Sequence, residues 1–90
     1  MKAFRTSVNG KVIAISGIEG NCVVNSVGIA HNKFGPLNLE KIILGIHSSE
    51  VINKKQINYR WDDENELKVG DKIEIQIIET ENADQPKYTE

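Results

Sequence analysis

Apolar and polar residues alternate with a period of two along several stretches of the chain, and the first stretch is Lys2 to Val8. Phe4, Thr6 and Val8 fall on one side there, Arg5 and Ser7 on the other. That is the pattern of a strand with one wet face. Asn9-Gly10 follows, and both residues tolerate the positive φ that a two-residue hairpin turn requires. Lys11 to Ser16 is predicted as the returning strand, and Gly17 to Asn21, with two glycines, as a turn. Cys22 to His31 is the next predicted strand. Val23, Val27 and Ile29 share one face, which Asn25 interrupts; Cys22, Val24, Ser26 and Ala30 share the other. Gly28 within it signals a bulge or a close backbone approach. Asn32 to Asn38 is predicted as a loop, punctuated by Gly35-Pro36.

Leu39 to Ile46 is short and strongly apolar and predicts a central strand covered on both faces. A single helical turn is the alternative, disfavoured by Ile42, Ile43 and Gly45. His47 to Glu50 is polar and predicts a turn. Val51 to Trp61 alternates again, and Asp62 to Glu66 predicts an acidic loop. Val69-Gly70-Asp71 is turn-like. Lys72 to Glu79 alternates most clearly, with Ile73, Ile75 and Ile77 facing in and Glu74 and Gln76 facing out. Trp61, the sole tryptophan, is assigned to the core. No stretch carries a helical period with start and stop signals. These segments predict an all-β fold, a small antiparallel β-sandwich of about six to eight strands, with an OB-like barrel as the alternative. Residues 1–80 form the single domain, and residues 81–90 form a polar tail, expected to be exposed and frayed.

Composition strengthens the strand reading: the apolar set is rich in Ile and Val, which fit a pleated sheet better than a helix. Ninety residues allow one domain with a modest core and little room for a deep cleft. The single cysteine, Cys22, permits no internal disulfide and suits a reducing compartment. No apolar run reaches the ~20 residues of a membrane-spanning helix, and the first residues lack the apolar core of a signal peptide. A cytoplasmic protein is expected. The net charge of −2 conceals an uneven layout: residues 1–61 carry a balance of +5 and residues 62–90 one of −7.

The second half of the chain carries the most specific pattern: Trp61, an acidic linker, then Leu67-Lys68-Val69-Gly70-Asp71-Lys72-Ile73-Glu74-Ile75-Gln76-Ile77-Ile78-Glu79, then Asp84 and Pro86. This resembles a group of short bacterial proteins of largely uncharacterised role that share a Trp followed by L-x-V-G-D-x-I-x-I-x-I-x-E. Val8-Asn9-Gly10-Lys11, Gly17-Ile18, Gly20 and Leu44-Gly45-Ile46 fit as well. The group brings no catalytic residues to carry over. By analogy, the overall profile also resembles the immunity proteins of bacterial toxin–immunity pairs, small non-enzymatic proteins that block a toxin domain. Val69 to Ile73 and the loop Gly45 to Glu50 are in turn similar to segments of RNA-binding OB-type domains. Those domains present aromatic and basic residues to bases and phosphates, whereas the region after Trp61 is acidic.

Candidate chemistry is sparse. Asp62, Asp63, Glu64 and Glu66 lack the spacing of a calcium loop. His31 and His47, with Cys22 distant in sequence, are too few for a zinc site. Nothing local activates the Cys22 thiol, and Ser48, Ser49 and Glu50 after His47 come without a nucleophile elbow. No catalytic residue, metal or cofactor is therefore expected. The remaining candidate is a docking surface. An acidic patch steers a basic partner, and aromatic residues beside it anchor interfaces. The expected function is a non-enzymatic protein-binding module, in its sharpest form an immunity protein or inhibitor occluding a toxin domain such as a basic nuclease. Tyr59, Arg60, Asp62, Asp63, Glu64 and Glu66 are its expected contacts. The alternative is an OB-like nucleic-acid binder using Lys33, Lys54, Lys55 and Arg60.

Overall fold

A computed structural model describes residues 1–62 and 65–90 in full. Among the described residues, seven strands follow one another: β1 (Lys2–Val8), β2 (Lys11–Ser16), β3 (Val23–Phe34), β4 (Leu39–Ile52), β5 (Lys55–Leu67), β6 (Ile73–Glu79) and β7 (Tyr88–Thr89). They form two antiparallel sheets, one ordered β2-β1-β6 and the other β3-β4-β5-β7. The sheets do not close, so the sandwich expectation holds and the OB-like barrel does not.

The β1–β2 hairpin turns at Asn9-Gly10, with φ of 52° and 83°. A second two-residue turn of the same kind joins β4 to β5 at Asn53-Lys54, with φ of 51° and 65°. The sequence pattern had put this turn at His47 to Glu50, which instead lies inside β4. The polar residues there stay in the sheet because each finds a cross-strand partner. Ser48, buried, donates to Asn25 Oδ1 at 2.6 Å, and Ser49 donates to Asn58 Oδ1 at 2.8 Å. The acidic stretch is likewise no loop, since β5 runs on to Leu67. Its pairing with β4 shifts register between Leu44 and Ile46 and again before His47. Gly28 marks no bulge: it pairs with Gly45 in an unbroken β3–β4 ladder, and a Cβ built on it would meet nothing within 4 Å.

The core is small. Ala14, Leu44, Ile46, Trp61 and Leu67 are buried together, with Val8, Ile13, Ile18, Val27, Ile42, Tyr59 and Ile73 packed around them. Burying one such aliphatic side chain is worth about 1.5–3 kcal/mol. Thr6 is also buried, and its hydroxyl has no hydrogen-bond partner among the described residues.

Residues 81–90 do not fray. Asp84 exchanges two bonds with Ile15, its N–H donating to Ile15 O and its Oδ2 accepting from Ile15 N, both at 2.8 Å. The Trp61 indole donates to Asp84 O at 2.8 Å. Lys87 N then donates to Arg60 O, and β7 pairs with β5 at Tyr59 and Arg60. The segment is a strap across the β2–β5 side of the sandwich.

At the other end the molecule is open. β5 stops opposite Ile42, so residues 32–41 continue as a two-stranded ribbon without a third strand. A single 3₁₀ turn, Gly35–Leu37, closes it. The ribbon makes the molecule long and flat, 43 × 32 × 17 Å. The radius of gyration is 14.5 Å, against about 12 Å for a compact chain of this length. Its accessible surface is 6695 Å², where a compact monomer of this mass exposes about 5300 Å².

Candidate partner-binding surface

The β3–β4 ribbon keeps its large apolar side chains in solvent. Phe34 and Leu37 are 55% and 69% exposed, Leu39 is about half exposed, and so is Ile29 in the body of β3, opposite Leu44. Phe34 pairs directly with Leu39 across the hairpin, and both lie on the outer face of the sheet together with Ile43. Exposed apolar residues are ordinary singly, but a cluster on a projecting element marks a contact surface. A trough of about 300 Å³ lies at the foot of the ribbon, lined by Gly28, Ile29, Ala30, Asn32, Ile43, Gly45 and His47. The Gly28–Gly45 pair leaves it open, because neither residue carries a side chain to fill the sheet surface.

Carboxylates rim this region. Glu66 pairs with Ile43 and is exposed; Glu40 pairs with Lys33 near the tip, on the ribbon face opposite Leu39; and Asp62 lies farther off, in the body of the sheet opposite Ile46. His31 Nε2 lies 2.9 Å from Glu40 Oε2, a surface contact. Asp63 and Glu64, expected to belong to the acidic surface, fall outside the described residues.

The expected site is therefore not one patch. Tyr59 and Trp61 point inward from β5, Trp61 into the core and Tyr59 beside it. The Tyr59 hydroxyl donates to Glu50 Oε1. That bond, with desolvation and the Glu50 charge adding to it, holds the phenol above its ordinary pKa. Tyr59 thus serves the body of the fold. Arg60, on the opposite face, has Nη1 3.9 Å from Glu90 Oε1 and sits by β7. Asp62 and Glu66 lie farther along β5, Glu66 next to the ribbon and Asp62 in the body opposite Ile46. The apolar half of the surface was missed in the sequence because Asn32 to Asn38 read as a loop, which hid that Phe34 ends one strand and Leu39 begins the next.

A second, shallow cleft of about 510 Å³ opens between the strap and the start of the chain, with Glu19, Glu50, Glu81 and Asp84 among its lining residues. The Met1 ammonium partly offsets their charge, lying 2.9 Å from Thr80 O and 3.5 Å from Glu79 Oε1. The remaining polar candidates make local contacts. His47 Nδ1 lies 3.1 Å from Ser26 Oγ, and Cys22 is an exposed free thiol just before β3. Among the described residues, no group of three or more His, Cys, Asp or Glu side chains is placed to hold a metal ion. No helix among the described residues is long and apolar enough to cross a membrane. No family model, curated protein or solved structure matches the chain.

Proposed function

We propose that this chain is a non-enzymatic protein-binding module of the immunity or inhibitor type, which docks the β3–β4 ribbon and its acidic rim onto a basic partner such as a toxin domain. The observation that carries this reading is the ribbon itself, whose large apolar side chains stand in solvent, with Glu66 exposed at its foot and Glu40 on its other face. Interfaces commonly pair an apolar centre with a charged rim that steers the encounter. In a toxin complex the rim carboxylates occupy the place of substrate phosphates, and Phe34, Leu37 and Leu39 supply the buried contact.

The nucleic-acid alternative is less well supported. Its basic residues are divided between the two ends of the long sheet, with Lys33 on the ribbon and Lys54 and Lys55 at the β4–β5 turn. A backbone-tracking groove needs its cations in one line.

The test compares three forms of the protein as bait in lysate of the source organism: wild type, Phe34→Ser with Leu37→Ser, and Glu66→Lys. Wild type should retain one stoichiometric basic protein. The apolar double variant should lower its affinity at least about 30-fold, the scale of a lost interface anchor, and Glu66→Lys should mainly slow association. Equal recovery by all three forms rejects this surface. Recovery of salt-labile RNA in place of a protein rejects the reading.

A further inference from the structure

The two sheets present four edges, and three of them are protected or interrupted. Asp84 of the strap occupies the backbone groups of Ile15 on β2. β7 is only two residues long. β3 carries Asn25, Gly28, His31 and Lys33 along its length. The fourth edge is β6. It pairs with β1 without a break from Lys2–Glu79 to Val8–Ile73 and contains no bulge, proline or lysine. These are the devices by which natural edge strands avoid pairing with another chain, and β6 has only its glutamates.

Its apolar face is also uncovered. Ile73, Ile75 and Ile77 pair with Val8, Thr6 and Phe4 and so share the inner face of their sheet. Cover comes from the far side, where β2 packs against β5. Along β6 it runs out: Ile73 touches the core, Ile75 is 44% exposed and Ile77 is 72% exposed. The β1 edge satisfies only half of the backbone groups of β6, and the other half point away from the sheet.

We propose that β6 pairs antiparallel with β6 of a second copy about a two-fold axis through Gln76, which makes one continuous six-stranded sheet from two three-stranded ones. This register engages all seven residues. Ile75 faces Ile77 of the other copy, Gln76 faces itself, Glu74 faces Ile78, and Glu79 faces Ile73. No carboxylate meets a carboxylate, and the two exposed isoleucines of each chain form an apolar stripe across the axis. Such an isologous contact closes at two copies. The surface supports a second copy as the occupant. The chain exposes about 1400 Å² more than a compact monomer, and a standard interface takes about 800 Å² from each partner. The excess is larger than what one such contact at β6 removes.

Sedimentation over a concentration series tests this with the full chain. Wild type should show a reversible monomer–dimer equilibrium. Ile77→Lys, at an exposed position that leaves the fold intact by circular dichroism, should raise the dimer dissociation constant about 100-fold, because it strikes the interface twice. The register has its own test in a Cys22→Ser background. Gln76→Cys should form an intermolecular disulfide under mild oxidation. Ile75→Cys should not, because its counterpart lies on the diagonal, beyond disulfide reach. A wild-type monomer at every concentration overturns the proposal, as does a dimer that survives Ile77→Lys. Cross-linking of Ile75→Cys in place of Gln76→Cys overturns the register.

Discussion

Leu39 and Leu44 lie on the same strand, β4, in different physical environments. Leu44 is fully buried among Ile46, Trp61 and Leu67, with a sheet packed over it and strands on both sides. Leu39 is 45% exposed on a two-stranded ribbon. Identical side chains on one strand thus stand in two settings. The body of the molecule buries its apolar residues, and the ribbon leaves them in solvent. A ribbon of two strands is marginal by itself, and this one persists because its strands continue into the four-stranded sheet.

The sharpest way to break the comparison is truncation at both positions. Leu44→Ala should destabilise the protein by about 3 kcal/mol, the usual cost of a buried leucine lost with its cavity. Leu39→Ala should cost about 0.5 kcal/mol or less, as at other surface positions. Urea unfolding curves for the two variants measure both. Similar losses would mean that the ribbon packs against something even in the free protein.

A smaller effect sharpens the boundary between the two regions. The β1–β2 and β5–β6 turns are locked together where the body meets the ribbon. Asn9 Nδ2 donates to Asp71 Oδ1 at 3.0 Å, Lys72 N donates to Asn9 Oδ1 at 2.9 Å, and Lys68 N donates to Asp71 Oδ2 at 2.8 Å. The Asn9 bond, and then the Lys68 N–H, hold the Asp71 carboxyl below its ordinary pKa. A carboxylate whose folded pKa is depressed adds stability above its unfolded pKa of about 3.9, and that contribution disappears as pH falls through the lower folded value. Melting temperatures should therefore fall for wild type between pH 5 and strongly acid solution, and fall less for Asp71→Asn, which has no charge to lose. An unchanged acid slope in Asp71→Asn would show that other carboxylates carry the acid sensitivity.

Several elements could be read from side-chain pattern alone. Asn9-Gly10 predicts its hairpin because the turn needs positive φ at both residues, and the alternation from Lys72 to Glu79 predicts β6. Trp61 belongs to the core as its size and uniqueness suggested. The failures share a cause. Ser48 and Ser49 look like turn residues until Asn25 and Asn58 are known to face them across the sheet. Lys54 gives no turn signal, because lysine adopts positive φ only where tight strand pairing imposes it. The strap is held largely through backbone groups, which every sequence carries. Ile75 and Ile77 were assigned to the right face, but whether a face is covered depends on how far the opposite sheet reaches. For the same reason only the acidic half of the candidate surface was legible: Asp62 and Glu66 announce themselves by charge, whereas the exposure of Phe34 and Leu39 follows from where β5 stops.

The bond between the Trp61 indole and Asp84 has a kinetic consequence. The strap reaches Ile15 and the first strand pairs with β6, so sealing the core joins residues from opposite ends of the chain. Closing such long loops costs entropy before any contact repays it, and chains dominated by distant pairings refold in milliseconds to seconds. The β3–β4 hairpin needs no such closure and can form on the scale of about 1–10 μs. The single tryptophan sits at the late-closing seam, so its fluorescence after dilution from denaturant should report the slow event. A microsecond change at Trp61 would mean that the seam closes early and the order of assembly is reversed.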